Sequence, residues 1–97
     1  MSEPSSGWKP DLYVLARLLE HLWRRNGSMM KTRLQIAAGV NYDVFSRYLN
    51  WMVLKGLVVL ENNQDGHERV VLRPKGAEAY CKFVEWLNEI VRERERA

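Results

Sequence analysis

The chain has a single cysteine, Cys81, so no internal disulfide can brace it and a reducing, intracellular setting is the expectation. It has two histidines, His21 and His67, far apart in sequence. No Cys/His pair has metal-ligand spacing, so neither a metal nor another cofactor is expected. No apolar run approaches the roughly 18 residues of a membrane span, and Met1–Gly7 lacks a signal-peptide core, which argues against a membrane partner. Glycine-rich phosphate loops and nucleophile elbows are missing as well. Glu20 and Asp43 are lone carboxylates on helical faces, better read as surface charges than as an acid–base pair. No catalytic residue is assigned, and an enzyme is not expected.

What is present suits one soluble globular domain. At 97 residues with 46% apolar content, the chain can bury one modest core, roughly 60% of its unfolded surface. The net charge of +3 is unevenly placed. Between Arg17 and Lys55 seven Lys/Arg face two acids, a local charge of +5. From Glu61 onward seven bases face eight acids, a local charge of −1. A basic first half is where phosphates would be met.

The organising stretch runs from Leu34 to Leu60. Leu34-Gln35-Ile36-Ala37-Ala38 reads as a helix end, and Gly39 can adopt the left-handed conformation that closes it. Asn41 is a good N-cap for the next helix. Phe45, Leu49 and Met52 follow at spacings of four and three, one face of a helical period. Lys55-Gly56 ends that helix, and Leu57-Val58-Val59-Leu60 reads as a strand. Helix, glycine turn, helix and strand form the grammar of a helix-turn-helix running into a wing.

The rest of the chain fits around this stretch. Residues 1–9 read as a flexible tail, with Trp8 expected to staple back on the first helix. The first helix is expected from about Asp11, its N-cap, to Asn26. Its stripe is Leu12, Leu15, Leu19, Leu22 and Trp23, with Leu18 flanking. The second helix is expected from about Met30 to Ala38, capped by Ser28 or a neighbour. Lys31, Thr32 and Arg33 sit in its first turn, where the two bases oppose the helix dipole; this favours a phosphate contact there, and Asn41 is a further phosphate candidate.

The third helix, Tyr42 to Lys55, turns Tyr42, Ser46, Arg47 and Asn50 outward, and Arg and Asn are the side chains that read guanine and adenine edges. Trp51, Val53 and Leu54 lie off its apolar stripe, so another element or subunit is expected there. Leu57–Leu60 and Arg69–Arg73 form a two-stranded wing with its tip at Asp65-Gly66. Asn63, His67 and Arg69 are its candidate contacts. Pro74 opens a last helix of about 22 residues. Ala77, Tyr80, Val84, Leu87 and Val91 follow a coiled-coil seam, flanked by Phe83, Trp86 and Ile90. Tyr80, Phe83, Val84, Leu87 and Val91 are the expected dimer interface, and the charged run Arg92–Arg96 reads as a solvated, fraying end.

Gly27-Ser-Met-Met-Lys-Thr-Arg-Leu34, Ala38-Gly-Val-Asn-Tyr42, Tyr48-Leu49, Lys55-Gly-Leu-Val58 and Leu72-Arg-Pro-Lys-Gly76 together resemble a family of small archaeal winged-helix proteins. The resemblance spans about Gly27–Tyr80. It implies regulators of transcription or chromatin-type DNA-binding proteins, some of which dimerise through the final helix as an antiparallel coiled coil. Arg73-Pro74 departs from it, standing where the family has a capping threonine and an acid. The last helix is also shorter than in the coiled-coil relatives.

The expected fold class is α+β, mainly α: a winged helix-turn-helix of three helices and a two-stranded wing over residues 10–73, with a C-terminal dimerisation helix over 74–97. The expected function is a homodimeric regulator of transcription that binds double-stranded DNA in the cytoplasm, on the nucleoid. A general chromatin-type DNA-binding protein and a winged-helix adaptor for other proteins are the alternatives.

Overall fold

A computed structural model describes residues 8–96; the expectation of a tail over Met1–Gly7 falls outside them. The order is α1 (Leu12–Arg24), β1 (Ser28–Met30), α2 (Lys31–Ala38), α3 (Tyr42–Leu54), β2 (Val58–Asn62), β3 (Glu68–Leu72) and α4 (Pro74–Arg96). The fold is a mostly helical winged helix, with the long last helix that the sequence implies.

Local chemistry explains the boundaries. The Asp11 carboxylate accepts from the backbone N–H of Tyr13 at 2.8 Å and of Val14 at 3.2 Å, which caps α1. Gly39, at φ 72, closes α2. The Asn41 side-chain oxygen then accepts from Val44 N–H at 2.9 Å and starts α3. Asn26 and Gly27 both have positive φ, 62 and 90. They reverse the chain after α1, and Gly27 N–H donates back to Leu22 O at 2.7 Å.

The three strands form one antiparallel sheet in the order β1-β3-β2. The strand Ser28–Met30 is a correction to the sequence reading, which offered Ser28 or a neighbour as a helix cap and began the helix at Met30. Met29 is buried and lies opposite Val70, while Met30 caps α2 with no side-chain hydrogen bond. Three residues are too few to show a period of two, so only the partner strand reveals it. The wing strands are each shifted by about a residue from expectation: Leu57 is a buried turn residue, and pairing starts at Val58↔Leu72.

The core gathers Leu18 and Leu22 from α1, Leu34 from α2, Phe45, Leu49 and Met52 from α3, and Val58 and Val70 from the sheet. The expected face of α3 is therefore the buried one. The stripe of α1 is rotated. Leu18 is fully buried, whereas Leu12 is 67% and Trp23 46% exposed. The helix packs against both α2 and α4, and its buried residues are Leu18, Leu19 and Leu22. Trp8 also departs from expectation. It packs edge-on against Tyr48 of α3, ring centroids 5.2 Å apart, and not as a staple on α1. Tyr48, absent from the predicted stripe, is buried and accepts from Asp11 N–H at 2.7 Å.

The start of α4 is pressed onto the turn before β2. Arg73 N–H donates to Leu57 O at 2.9 Å. A Cβ added to Gly76 would collide with Leu57 O and meet Leu72 Cδ1 at 2.8 Å. Alanine normally gains up to about 1 kcal/mol over glycine in a helix. Here the clash outweighs it, and Gly76→Ala is expected to destabilise by about 1–3 kcal/mol. Thermal unfolding should show a loss of roughly 4–8 °C per kcal/mol. A melting temperature equal to or above wild type would mean that α4 lifts off Leu57 without cost.

Candidate nucleic-acid interface

The outward face of α3 is the richest in chemistry. Asp43, Arg47 and Asn50 are exposed along it, and Ser46 is half-buried at its flank. These four line an open groove of about 680 Å³ with Trp8, Trp51, Leu54 and Lys55. Ser46, Arg47 and Asn50, predicted from spacing, are therefore brought together. Arg47 makes no ion pair with Asp43 one turn earlier; its guanidinium lies 5.9 Å from the Trp8 ring centroid instead. Lys55 stands over Trp51 at 5.8 Å in the same way.

Tyr42 lies apart from that groove. It is 56% exposed, and the Lys31 ammonium sits 5.8 Å from its ring. Lys31 also donates to Glu68 of β3 at 3.1 Å. That hydrogen bond, partly opposed by burial, holds the ammonium above the ordinary lysine range. A phosphate would have to share or displace Glu68. Thr32 and Arg33 are exposed and make no such pair. The Asn41 oxygen is engaged in capping α3, which leaves its amide N–H groups for a ligand.

At the wing, the loop between β2 and β3 is closed by Asn63 N–H donating to His67 O at 2.8 Å. Gly66 N–H donates to Asn63 O at 3.0 Å, and the Asp65 carboxylate accepts from His67 N–H at 3.1 Å. Asp65-Gly66 is the tip, as expected. Arg69 does not reach the tip. It lies on the sheet and donates Nε–H to Ser28 Oγ at 2.8 Å.

On α4, Tyr80 faces its own domain, 5.6 Å from Trp23 between ring centroids, and burial raises its phenol above the ordinary range. The predicted seam thus begins inside the protomer. Phe83 closes a small apolar groove with Leu12, Leu15 and Leu19 of α1 and stacks at 6.5 Å beside Trp86. Val84 is half-buried. Farther along, Trp86, Leu87 and Val91 are 55%, 41% and 51% exposed.

Sequence reasoning missed Trp8 as a border of the α3 groove; Trp51 was marked by its place off the apolar stripe. Trp8 is expected on α1 but seats on α3, because its partners Tyr48 and Arg47, like the Asp11–Tyr48 bond, are far from it in sequence. Leu54, 79% exposed, was at least flagged by its place off the stripe. Among the described residues no three His, Cys, Asp or Glu side chains could hold a metal ion, and no helix is long and apolar enough to cross a membrane.

A short helix, a left-handed glycine turn, a second helix with a polar outer face and a β-wing together define a winged-helix protein. The chain belongs to the winged helix-turn-helix family, whose model matches residues 12–91. No curated protein matches it. Among solved structures it is similar to F93 from STIV, a winged-helix DNA-binding protein, with a TM-score of 0.77 and 18% identity over 86% of this chain and 96% of that one. It is similar to Sso10a-2, a DNA-binding protein from Sulfolobus solfataricus, with a TM-score of 0.64 and 19% identity over 91% and 92% of the two chains. A MarR family transcriptional regulator from Silicibacter pomeroyi is 29% identical with a TM-score of 0.64; the match covers 71% of this chain but only 47% of that one.

Proposed function

We propose that the protein is a homodimeric regulator of transcription that binds double-stranded DNA, reading the major groove with α3. The observation that carries this is the outer face of α3, where Ser46, Arg47 and Asn50 converge and Arg47 has no carboxylate partner among the described residues. An arginine left unpaired beside Asp43 and stacked on an indole is held ready for a planar acceptor such as a guanine edge. Tyr42, Thr32, Arg33 and the Asn41 amide flank this face and serve phosphates. Lys31 joins them by sharing its charge with Glu68. Asn63 and His67 at the wing tip touch the neighbouring backbone, on the nucleoid of the cytoplasm. F93 and Sso10a-2 are DNA-binding proteins, which supports this reading by analogy of fold.

Dimerisation uses α4 beyond Tyr80, through Phe83, Val84, Leu87 and Val91. A second reading, an adaptor for another protein, is favoured by one feature: Leu54 and Trp51 border the same groove as Arg47.

Selection from random duplexes, followed by titration of the winning sequence, separates these readings. Arg47→Ala is expected to lower affinity for the selected duplex by about 1–3 kcal/mol while leaving random duplexes little changed. Equal losses on all sequences would make Arg47 a phosphate clamp, and no enrichment of any sequence would favour the general DNA-binding alternative. A wild-type protein that binds no duplex at low salt would leave the adaptor.

A further inference from the structure

Four arginines from three elements meet in a cleft whose lining does not include Tyr42. Arg24 and Arg25 end α1, Arg33 lies in the first turn of α2, and Arg69 lies on β3; together with Ser28 and Met30 of β1 they line a cleft of about 370 Å³. We infer that this cleft is a second phosphate-binding surface, which holds duplex backbone beyond the α3 groove. The inference rests on the DNA-binding reading and extends its footprint.

The placement of these side chains is fixed by the backbone. The Asn26-Gly27 reversal is tied on both sides, since Gly27 N–H donates to Leu22 O and Gly27 O accepts from Leu72 N–H, each at 2.7 Å. The end of α1 is thereby held against the sheet. Arg69 is oriented by its Nε–H bond to Ser28 Oγ, which leaves both terminal amino groups of the guanidinium to face a ligand. Arg24 pairs with Glu20 at 3.1 Å, but no carboxylate pairs with Arg25, Arg33 or Arg69 among the described residues. Glu61 lies opposite Arg69 in the strand register without closing an ion pair.

The helix dipole explains only half of this cluster. It favours Arg24 and Arg25 at the C-terminal end of α1 and disfavours Arg33 at the N-terminal end of α2. It says nothing about Arg69. One anionic partner accounts for all four, and arginine forks match phosphate oxygens two at a time. Lys31 and Arg33 diverge from the same turn: Lys31 reaches Glu68 and Tyr42, whereas Arg33 joins the cleft. A strand touched by the first turn of α2 can therefore continue into the cleft. A free polyphosphate offers the same oxygens, so the test must separate the two sources.

The full chain is titrated with the selected core in two lengths, about two helical turns (roughly 20 bp, the span of two half-sites) and about four turns, across a range of salt. Because Arg24 already shares its charge with Glu20, Arg24→Ala/Arg25→Ala is expected to remove about one phosphate contact per protomer and so to flatten the dimer's salt slope by about two units on the long duplex. The short duplex is expected to bind as to wild type. Arg24→Lys/Arg25→Lys is expected to restore the slope, and an unchanged melting temperature shows that the alanine variant is folded. Identical slopes for wild type and the alanine variant on the long duplex overturn the inference. Tripolyphosphate at matched ionic strength is the second arm. Saturable displacement of the long duplex by it, lost in the alanine variant, would assign the cleft to free polyphosphate and overturn the duplex assignment. If wild type binds neither duplex, the DNA reading fails and the inference with it; if wild type binds both and only the slopes agree, the cleft alone fails.

Discussion

Duplex affinity is expected to fall about a thousandfold between 50 and 200 mM salt, because a dimer that neutralises roughly six phosphates releases that many condensed counterions. The log–log slope should then lie near −5. The estimate starts from the local charge of +5 between Arg17 and Lys55. The structure refines which charges count. Lys31 is tied to Glu68 and Arg24 to Glu20, so each contributes less than a free cation. Arg25, Arg33, Arg47 and Arg69 make no ion pair among the described residues. Fluorescence anisotropy on one duplex over a salt series measures the slope. A flat response, or no binding at low salt, would remove DNA from the account.

The second large effect concerns assembly. The 23 residues of α4 span roughly 35 Å, yet only Ala79, Tyr80 and neighbours pack on the protomer's core. Trp86, Leu87 and Val91 extend past it half-exposed. A twofold pair would cover them by presenting the same surface from both sides. Leu87→Glu places a carboxylate in that seam twice over, and association should weaken by at least about a thousandfold. Light scattering at micromolar concentration is expected to give twice the 11.4 kDa chain mass for wild type and a single chain mass for the variant. A wild-type monomer would sink the dimer. A dimer untouched by Leu87→Glu would move the interface elsewhere, with Trp51 and Leu54 the next candidates.

Much of this fold was legible because its signals are local. Asp11 and Asn41 cap their helices, Gly39 closes α2, and Phe45, Leu49 and Met52 share one buried face; each follows from residues within one turn of another. What escaped depends on residues far apart in sequence. The strand at Ser28–Met30 exists only against Arg69–Val71, and the seat of Trp8 exists only on Tyr48. The α3 face was visible as a spacing of Ser46, Arg47 and Asn50. That Arg25, Arg33 and Arg69 share a cleft was not, because three separate elements have to be folded before they meet.

The bond from Asp11 N–H to the Tyr48 hydroxyl has a mechanical meaning. It fastens the N-cap of α1 to the middle of α3, and the Trp23–Tyr80 contact fastens the other end of α1 to α4. The helix α1 is thus a strut between the element proposed to set the distance between subunits and the element proposed to touch bases. In a dimer built on α4, the two α3 helices cannot drift independently of each other. The separation between half-sites becomes a fixed length, to be matched by whole turns of about 34–36 Å. Adding half a turn between two half-sites would carry one of them to the opposite side of the duplex, where the strut cannot follow.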